Sequence, residues 1–305
     1  MSADIYAAQV ALLVRAIPEI AAEKDFALKG GTAINLFVRE LPRLSVDIDL
    51  VYLPVETRAT SLDAIHAAFA RIAERLRGRL GATVNVQGSK DGTRLVVRSG
   101  GAQIKIELSP VLRGTVFAPE LRGVNAAVEE RFGYAEMQLV ALPDLYAGKI
   151  AAALDRQHPR DLFDVSHLYA NEGLTDDIFQ AFLVYLISHD RPPHELLDPN
   201  LKDIASQFDG EFLGMTVEPI ALDDLIAARA RLVEDVQARA RQGDARAFLA
   251  GFFSLAPDYT LLGLPADVGA LPAVQWKIRN LEIFRDKQHE RFAAQLDALT
   301  RIVGA

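Results

Sequence analysis

The alternation of apolar and polar positions divides the chain into two halves of different character. Apolar residues recur at helical spacing over 5–22, the mark of an amphipathic helix. Residues 26–28 (Phe-Ala-Leu) form a short apolar run that fits a buried strand. Lys29-Gly30-Gly31-Thr32 reads as a turn, followed by a short helix over 33–40 that Pro42 ends. The clearest strand is 46–53, where Val46, Ile48 and Leu50 point to one face and Asp47 and Asp49 to the other. Residues 61–80 fit an amphipathic helix carrying Arg71, Arg75 and Arg79 at i, i+4 and i+8. Three short runs, 83–87, 93–98 and 103–108, are separated by glycine-bearing turns at 88–92 and 99–101 and predict an antiparallel meander. A last strand is expected over 136–141.

From Pro143 onward the period becomes helical, with segments at 144–155, 161–171, 175–189, 222–242 and 244–254, and one or two helices across 272–303. The pattern therefore predicts an α/β N-terminal domain, residues 1–142, with a mixed, mostly antiparallel sheet. An all-α C-terminal domain over 143–305 follows it. Trp276 and the Phe-rich stretch 248–253 read as core.

Composition narrows the function classes. The 305 residues are 50% hydrophobic and 24% charged, the balance of a soluble globular protein. The absence of cysteine excludes a disulfide framework, a zinc finger and a cysteine nucleophile. No apolar run approaches the length of a transmembrane helix, about 18 residues, and the first residues carry no basic signal-peptide region, so a cytoplasmic protein without a membrane partner is expected. The net charge of −8 disfavours a chain coated by nucleic acid. Residues 58–113 depart from that average, with ten basic against four acidic side chains. A local charge of this sign suits a phosphate-backbone partner, with Arg71, Arg75 and Arg79 as candidate RNA-binding residues. A solvated arginine-rich helix gives the same pattern.

Four pieces carry candidate chemistry. Gly30-Gly31-Thr32 lets the backbone approach a phosphate closely, although a plain tight turn has the same sequence. Ser45-Val-Asp47-Ile-Asp49 places two carboxylates on one strand face, where they repel unless a divalent cation lies between them. Mg²⁺ favours one or two carboxylates plus substrate phosphate oxygens. Glu107 becomes a third carboxylate if its strand neighbours that of Asp47 and Asp49, an adjacency the spacing does not establish. Lys149, and Asp161 with Asp164 one turn apart on the next helix, form either a triphosphate clamp or an interhelical ion cluster. The six histidines show no metal spacing and read as surface or capping residues, with lining of the cleft a lesser reading for His158, which is close to Asp161 in sequence.

Taken in order, these motifs resemble a known family. Lys29-Gly-Gly-Thr-Ala33, Arg43-Leu-Ser-Val-Asp-Ile-Asp-Leu50, Ala147-Gly-Lys-Ile150, Pro159-Arg-Asp-Leu-Phe-Asp164 and, later, Pro257-Asp-Tyr-Thr-Leu-Leu262 and Leu271-Pro-Ala-Val-Gln-Trp-Lys277 are similar to segments of the AbiEii/AbiGii toxin family. These are nucleotidyltransferases of type IV toxin–antitoxin systems, related to the MenT toxins. The resemblance implies a polymerase-β-like nucleotidyltransferase domain fused to a helical domain. It implies Mg²⁺-dependent transfer of a nucleoside monophosphate from an NTP, a pyrimidine in the MenT cases, to the 3′ acceptor end of tRNA, which blocks translation.

By the same resemblance Gly30, Gly31 and Thr32 would cradle the phosphates, Ser45 and Asp47 match a Ser-x-Asp element, and Asp47 and Asp49 would bind metal. Lys149 would contact the triphosphate, and Asp164, with Asp161 nearby, would act as base or orient the nucleotide. Glu107 stands where polymerase-β-type enzymes place a third metal carboxylate. NTP, tRNA and a cognate antitoxin are the implied partners, and DNA is not expected. Rival readings keep the fold but direct nucleotidyl or phosphoryl transfer to a protein or small-molecule hydroxyl, or leave a catalytically silent binding protein.

Overall fold

The computed structural model of the chain describes residues 3–89 and 92–304, so Lys90 and Asp91, two of the charges counted over 58–113, lie outside the described residues. The chain forms two compact units, Met1–Ala141 with Gly214–Glu218, and Leu142–Leu213 with Pro219–Ala305.

The first unit is a seven-stranded sheet with helices. Helix α1 (Ala3–Ala21) leads to β1 (Phe26–Lys29), α2 (Gly30–Ala33), β2 (Asp47–Tyr52) and the long α3 (Arg58–Leu80). The meander follows as β3 (Thr83–Ser89), β4 (Gly92–Ser99) and β5 (Ala102–Arg113). The unit closes with β6 (Glu120–Gly123), α4 (Ala126–Phe132) and β7 (Glu136–Leu139). Strand order is β3-β4-β5-β2-β1-β7-β6. β2 is central, antiparallel to β1 and parallel to β5, and β1 is parallel to β7; the remaining pairings are antiparallel. Ile48 and Leu50 are fully buried on the side that the alternation assigned to the core.

Local physics explains where the elements differ from the pattern. Gly30 adopts φ +75°, a left-handed conformation open to glycine. It turns the chain directly out of β1, so Gly30, Gly31 and Thr32 are the start of a helix rather than a turn ahead of one. That helix widens into a π turn over Ile34–Val38. β6 lacks an alternating signal because three of its four residues are exposed at the sheet edge. Residues 214–218, which lie within a stretch that reads as helical-domain sequence, instead return to the first unit. Thr216 bridges Arg43, and Leu44 N–H donates to the Met215 carbonyl at 2.9 Å.

The second unit is helical: α5 (Leu142–Asp155), α6 (Pro159–Ala170), α7 (Asp176–Ser188) and α8 (Pro193–Leu197). A short α9 (Ala205–Gln207) precedes α10 (Leu222–Ala240), α11 (Gly243–Phe253), α12 (Pro272–Lys287) and α13 (His289–Val303). Phe182, Phe212, Phe248 and Phe252 fill its core. Trp276, expected there, is instead 57% exposed on α12. Gly148 permits close packing of α5 on α7, because a β-carbon there would stand 3.2 Å from the Tyr185 ring. Among the described residues no helix is long and apolar enough to cross a membrane.

Candidate active site

In the first unit the glycines at the end of β1 and the Ser-x-Asp-x-Asp strand are built against each other. A β-carbon on Gly30 would fall 2.5 Å from Asp49 Oδ2, and one on Gly31 would fall 2.6 Å from Arg43 Nη2 and 3.0 Å from Ser45 Oγ. Only bare backbone fits between these side chains. Thr32 fastens the arrangement from inside: it is fully buried, its hydroxyl lies 3.0 Å from Ser45 Oγ, and it donates to the Asp47 carbonyl. Asn35 Nδ2 donates to the Gly31 carbonyl at 2.8 Å. The hydroxyl of Thr32 thus brackets helix to strand, leaving Gly30 and Gly31 as the bare backbone beside the aspartates.

Asp47 and Asp49 sit half-buried on one face of β2, with α-carbons about 7 Å apart along the strand. The register supplies their neighbours. Asp47 pairs with Lys105 of β5, and Asp49 lies between Lys29 of β1 and Glu107 of β5. Glu107 is therefore adjacent to Asp49 on the same face. Its carboxylate is already engaged, since Arg94 Nε lies 2.7 Å from Oε1. Among the described residues no three His, Asp or Glu side chains are gathered into a ready metal cage. The donor set still suits Mg²⁺, which takes one or two carboxylates and fills its other positions with water and substrate phosphate.

Arg43 and Lys29 are the residues that the sequence reading left without a role. Arg43 is 3% exposed, with Nη1 donating to the Leu44 carbonyl at 2.9 Å. Its position two residues ahead of Ser45 was the only available signal.

The second unit brings together Lys149, Asp161 and Asp164. Lys149 Nζ, on α5, lies 2.9 Å from Asp161 Oδ1 and 3.0 Å from Asp164 Oδ2, both on α6. Lys149 is 6% exposed and the two aspartates 1% each. Arg156 adds two bonds to Asp161, at 2.5 and 2.8 Å. Burial pushes the Asp161 carboxyl up, but Lys149 and Arg156 outweigh it and hold the group well below the usual carboxylate range. His158 caps α6 by accepting the Arg160 N–H at Nδ1, which leaves Nε2 facing Glu211 at 3.2 Å. Burial lowers its pKa against the pull of Glu211.

The three arginines of α3 face the carboxylates of the α1 region. Arg71 Nη2 and Arg75 Nη2 each lie 2.6 Å from Glu23, and Arg79 Nη1 lies 3.3 Å from Glu19. The row thus ties α3 to α1 and its following loop, with Arg71 and Arg79 still more than half exposed.

The chain is similar to known proteins. A family model described as nucleotidyl transferase AbiEii toxin, type IV TA system, matches residues 11–280. Among solved structures the chain is similar to MenT4, a nucleotidyltransferase toxin of Mycobacterium tuberculosis. The two share 16% identity and a TM-score of 0.56 over 97% of this chain and 92% of that one. Terminal uridylyl transferase 4 of Trypanosoma brucei, solved with bound CTP, is matched at 14% identity and TM-score 0.29, over 96% of this chain and 92% of that one. No curated protein matches the chain.

Proposed function

The chain belongs to the AbiEii family of nucleotidyltransferase toxins, and from that premise we propose that it moves a pyrimidine nucleoside monophosphate from an NTP to the 3′ acceptor end of tRNA. The observation that carries the reading is the fit of Gly30 and Gly31 against Asp49, Ser45 and Arg43, with no room for a side chain. Bare backbone beside paired carboxylates suits a triphosphate whose charge is held by protein groups and a divalent ion.

In this reading Asp47 and Asp49 would hold Mg²⁺, with Glu107 adjacent as a third carboxylate. When bound, the ion supplies neutralisation of the triphosphate and Lewis acidity at the phosphoryl oxygens. Gly30 and Gly31 line the phosphates, Ser45 stands beside them, and Arg43 supports the turn. Lys149 meets the triphosphate as a point charge, Asp161 orients Lys149, and Asp164 takes the acceptor hydroxyl proton. That hydroxyl attacks the α-phosphorus, and pyrophosphate leaves. Arg71, Arg75 and Arg79 face the RNA, supported by the positive balance of 58–113. The type IV family carries the further proposal of a cognate antitoxin, and the protein acts in the cytoplasm.

The test is incubation of the purified chain with each labelled NTP, Mg²⁺ and total tRNA, alongside total protein. Label should enter tRNA with CTP or UTP and not with Asp47→Asn. Label in protein, or in nothing, would overturn the assignment.

A further inference from the structure

Arg43 and Ser45, the two groups packed against Gly31, are carried by a loop with little regular structure of its own. Between the π turn ending at Val38 and the start of β2 at Asp47 the chain forms no helix and no strand. Within this loop Leu41 adopts φ +54°, a left-handed conformation that a leucine rarely takes. Such a conformation persists where surrounding contacts fix it. The Leu41 N–H donates to the carbonyls of Asn35 and Arg39, at 3.0 and 2.9 Å, which fixes the first half of the loop.

The second half is held from far along the chain. Leu44 N–H donates to the Met215 carbonyl and Val217 N–H to the Pro42 carbonyl, each at 2.9 Å, and Thr216 bridges Arg43 between them. Met215 is buried, whereas Leu213 and Val217 are 66% and 72% exposed, so Val217 contributes its backbone rather than its side chain. Gly214 opens the segment with φ +81°. The elements on either side, the π turn Phe208–Phe212 and α10, belong to the second unit, and 214–218 alone join the first.

The residues these bonds hold are those that touch the phosphate turn. Arg43 Nη2 lies 2.6 Å from where a Gly31 β-carbon would stand, and Ser45 Oγ lies 3.0 Å from the same point and 3.0 Å from the Thr32 hydroxyl. Packing this close passes a small displacement of the loop on to Gly31. We propose that 214–218 is a positioning strap of the nucleotide site: by pairing with 42–44 it sets Arg43 and Ser45 against Gly31, and so fixes the backbone that receives the triphosphate. The ligand named here rests on the nucleotidyl-transfer reading; the strap's hold on Gly31 does not. The strap touches no substrate. Asp47 and Asp49 stay in place without it, because the ladders of β2 to β1 and β5 do not involve it. Releasing the strap therefore weakens NTP binding while the chemical step continues.

The test compares Val217→Pro with Val217→Ala in the full chain. Proline removes the N–H donated to Pro42, and alanine, the conservative change, keeps it. Gly214→Ala is a second route: it strains the entry to the strap, while its β-carbon meets nothing within 4 Å. Three readouts are followed: hydrogen exchange of the Leu44 amide, the amide resonance of Gly31, and KM and kcat for incorporation of labelled NTP. Val217→Pro and Gly214→Ala should exchange Leu44 at least ~10-fold faster and shift the Gly31 resonance. Both should raise the KM for NTP about tenfold with kcat within ~twofold of wild type, and Val217→Ala should match wild type in all three. A Leu44 exchange rate or a Gly31 resonance unmoved in both variants overturns the strap, as does a KM equal to that of Val217→Ala. If the wild type incorporates no nucleotide, the nucleotidyl-transfer reading fails by itself, and Leu44 and Gly31 decide the strap. Should Val217→Pro not fold, Gly214→Ala decides.

Discussion

The carboxylate of Asp49 occupies the space into which a side chain on Gly30 would project, 2.5 Å from where its β-carbon would lie. Gly30 also needs φ +75°. Gly30→Ala therefore meets both a clash and backbone strain, and the clash displaces the carboxylate itself. Nucleotide incorporation should fall at least ~100-fold, with stability lowered by about 1–3 kcal/mol. Gly81 is the control, because it has φ +59° and a β-carbon there would meet nothing within 4 Å. Gly81→Ala should cost about 1 kcal/mol and leave incorporation unchanged. Equal incorporation by Gly30→Ala and wild type would show that the close approach has no part in the reaction.

The two neighbours Asp49 and Glu107 share a register position but not an electrostatic state, since Arg94 holds Glu107 at 2.7 Å. Asp47→Asn and Asp49→Asn should each reduce incorporation more than ~1,000-fold. Glu107→Gln should cost about tenfold or less, with stability changed by under ~1 kcal/mol for this partly exposed pair. Raising Mg²⁺ should restore Glu107→Gln but neither aspartate variant. If Glu107→Gln is as inactive as Asp47→Asn, the third carboxylate is a full ligand.

The parts of the molecule that follow a period were legible in the sequence. β2 announced itself because Ile48 and Leu50 alternate with two aspartates, and the α5 and α6 positions of Lys149, Asp161 and Asp164 followed from helical spacing. What depended on non-local pairing was not legible. The adjacency of Asp49 and Glu107 requires β2 and β5 to lie side by side across the excursion through α3, β3 and β4, which no local pattern encodes. The return of 214–218 to pair with 42–44 joins two segments without periodicity. The ion pairs of Arg71 and Arg75 with Glu23 were hidden for the same reason, because a helical arginine row has the same spacing whether it faces solvent or a carboxylate.

Lys149 is the cation between two buried carboxylates, so its removal affects the fold as well as any substrate. Lys149→Ala leaves charge uncompensated inside the helical unit and should cost about 3–5 kcal/mol. Adding Asp164→Asn removes one of the stranded charges and should recover at least half of that loss, a coupling a double-mutant cycle measures in urea. Both variants should be inactive in incorporation. Additive destabilisation would mean that Lys149 and Asp164 do not depend on each other.

Asp161 makes the same cluster sensitive to acid. Its carboxyl is held below the ordinary value of 3.8 by Lys149 and Arg156, against burial. The unfolded chain therefore takes up a proton at a higher pH than the folded one does, and stability falls as pH drops. The contribution is fully present above about pH 4 and is lost below it. Melting temperatures at pH 5, 4 and 3 should fall more steeply for wild type than for Asp161→Asn, which has no proton to gain. Parallel curves would remove the cluster from the acid response.

Glu23 competes with any RNA for the guanidinium groups of Arg71 and Arg75. Arg71 donates to it from Nε at 3.1 Å and Nη2 at 2.6 Å, Arg75 donates at 2.6 Å, and Arg71 is the main cause that holds the Glu23 pKa down, against burial. If this face meets the tRNA backbone, freeing the arginines strengthens binding. Glu23→Gln should then raise tRNA affinity at low salt and steepen the log–log salt dependence by about one phosphate contact. Arg71→Glu should do the reverse and place a second carboxylate beside Glu23. Binding measured across a salt titration separates these outcomes from a purely structural tie. In that case both variants lower the melting temperature, and neither changes the salt slope.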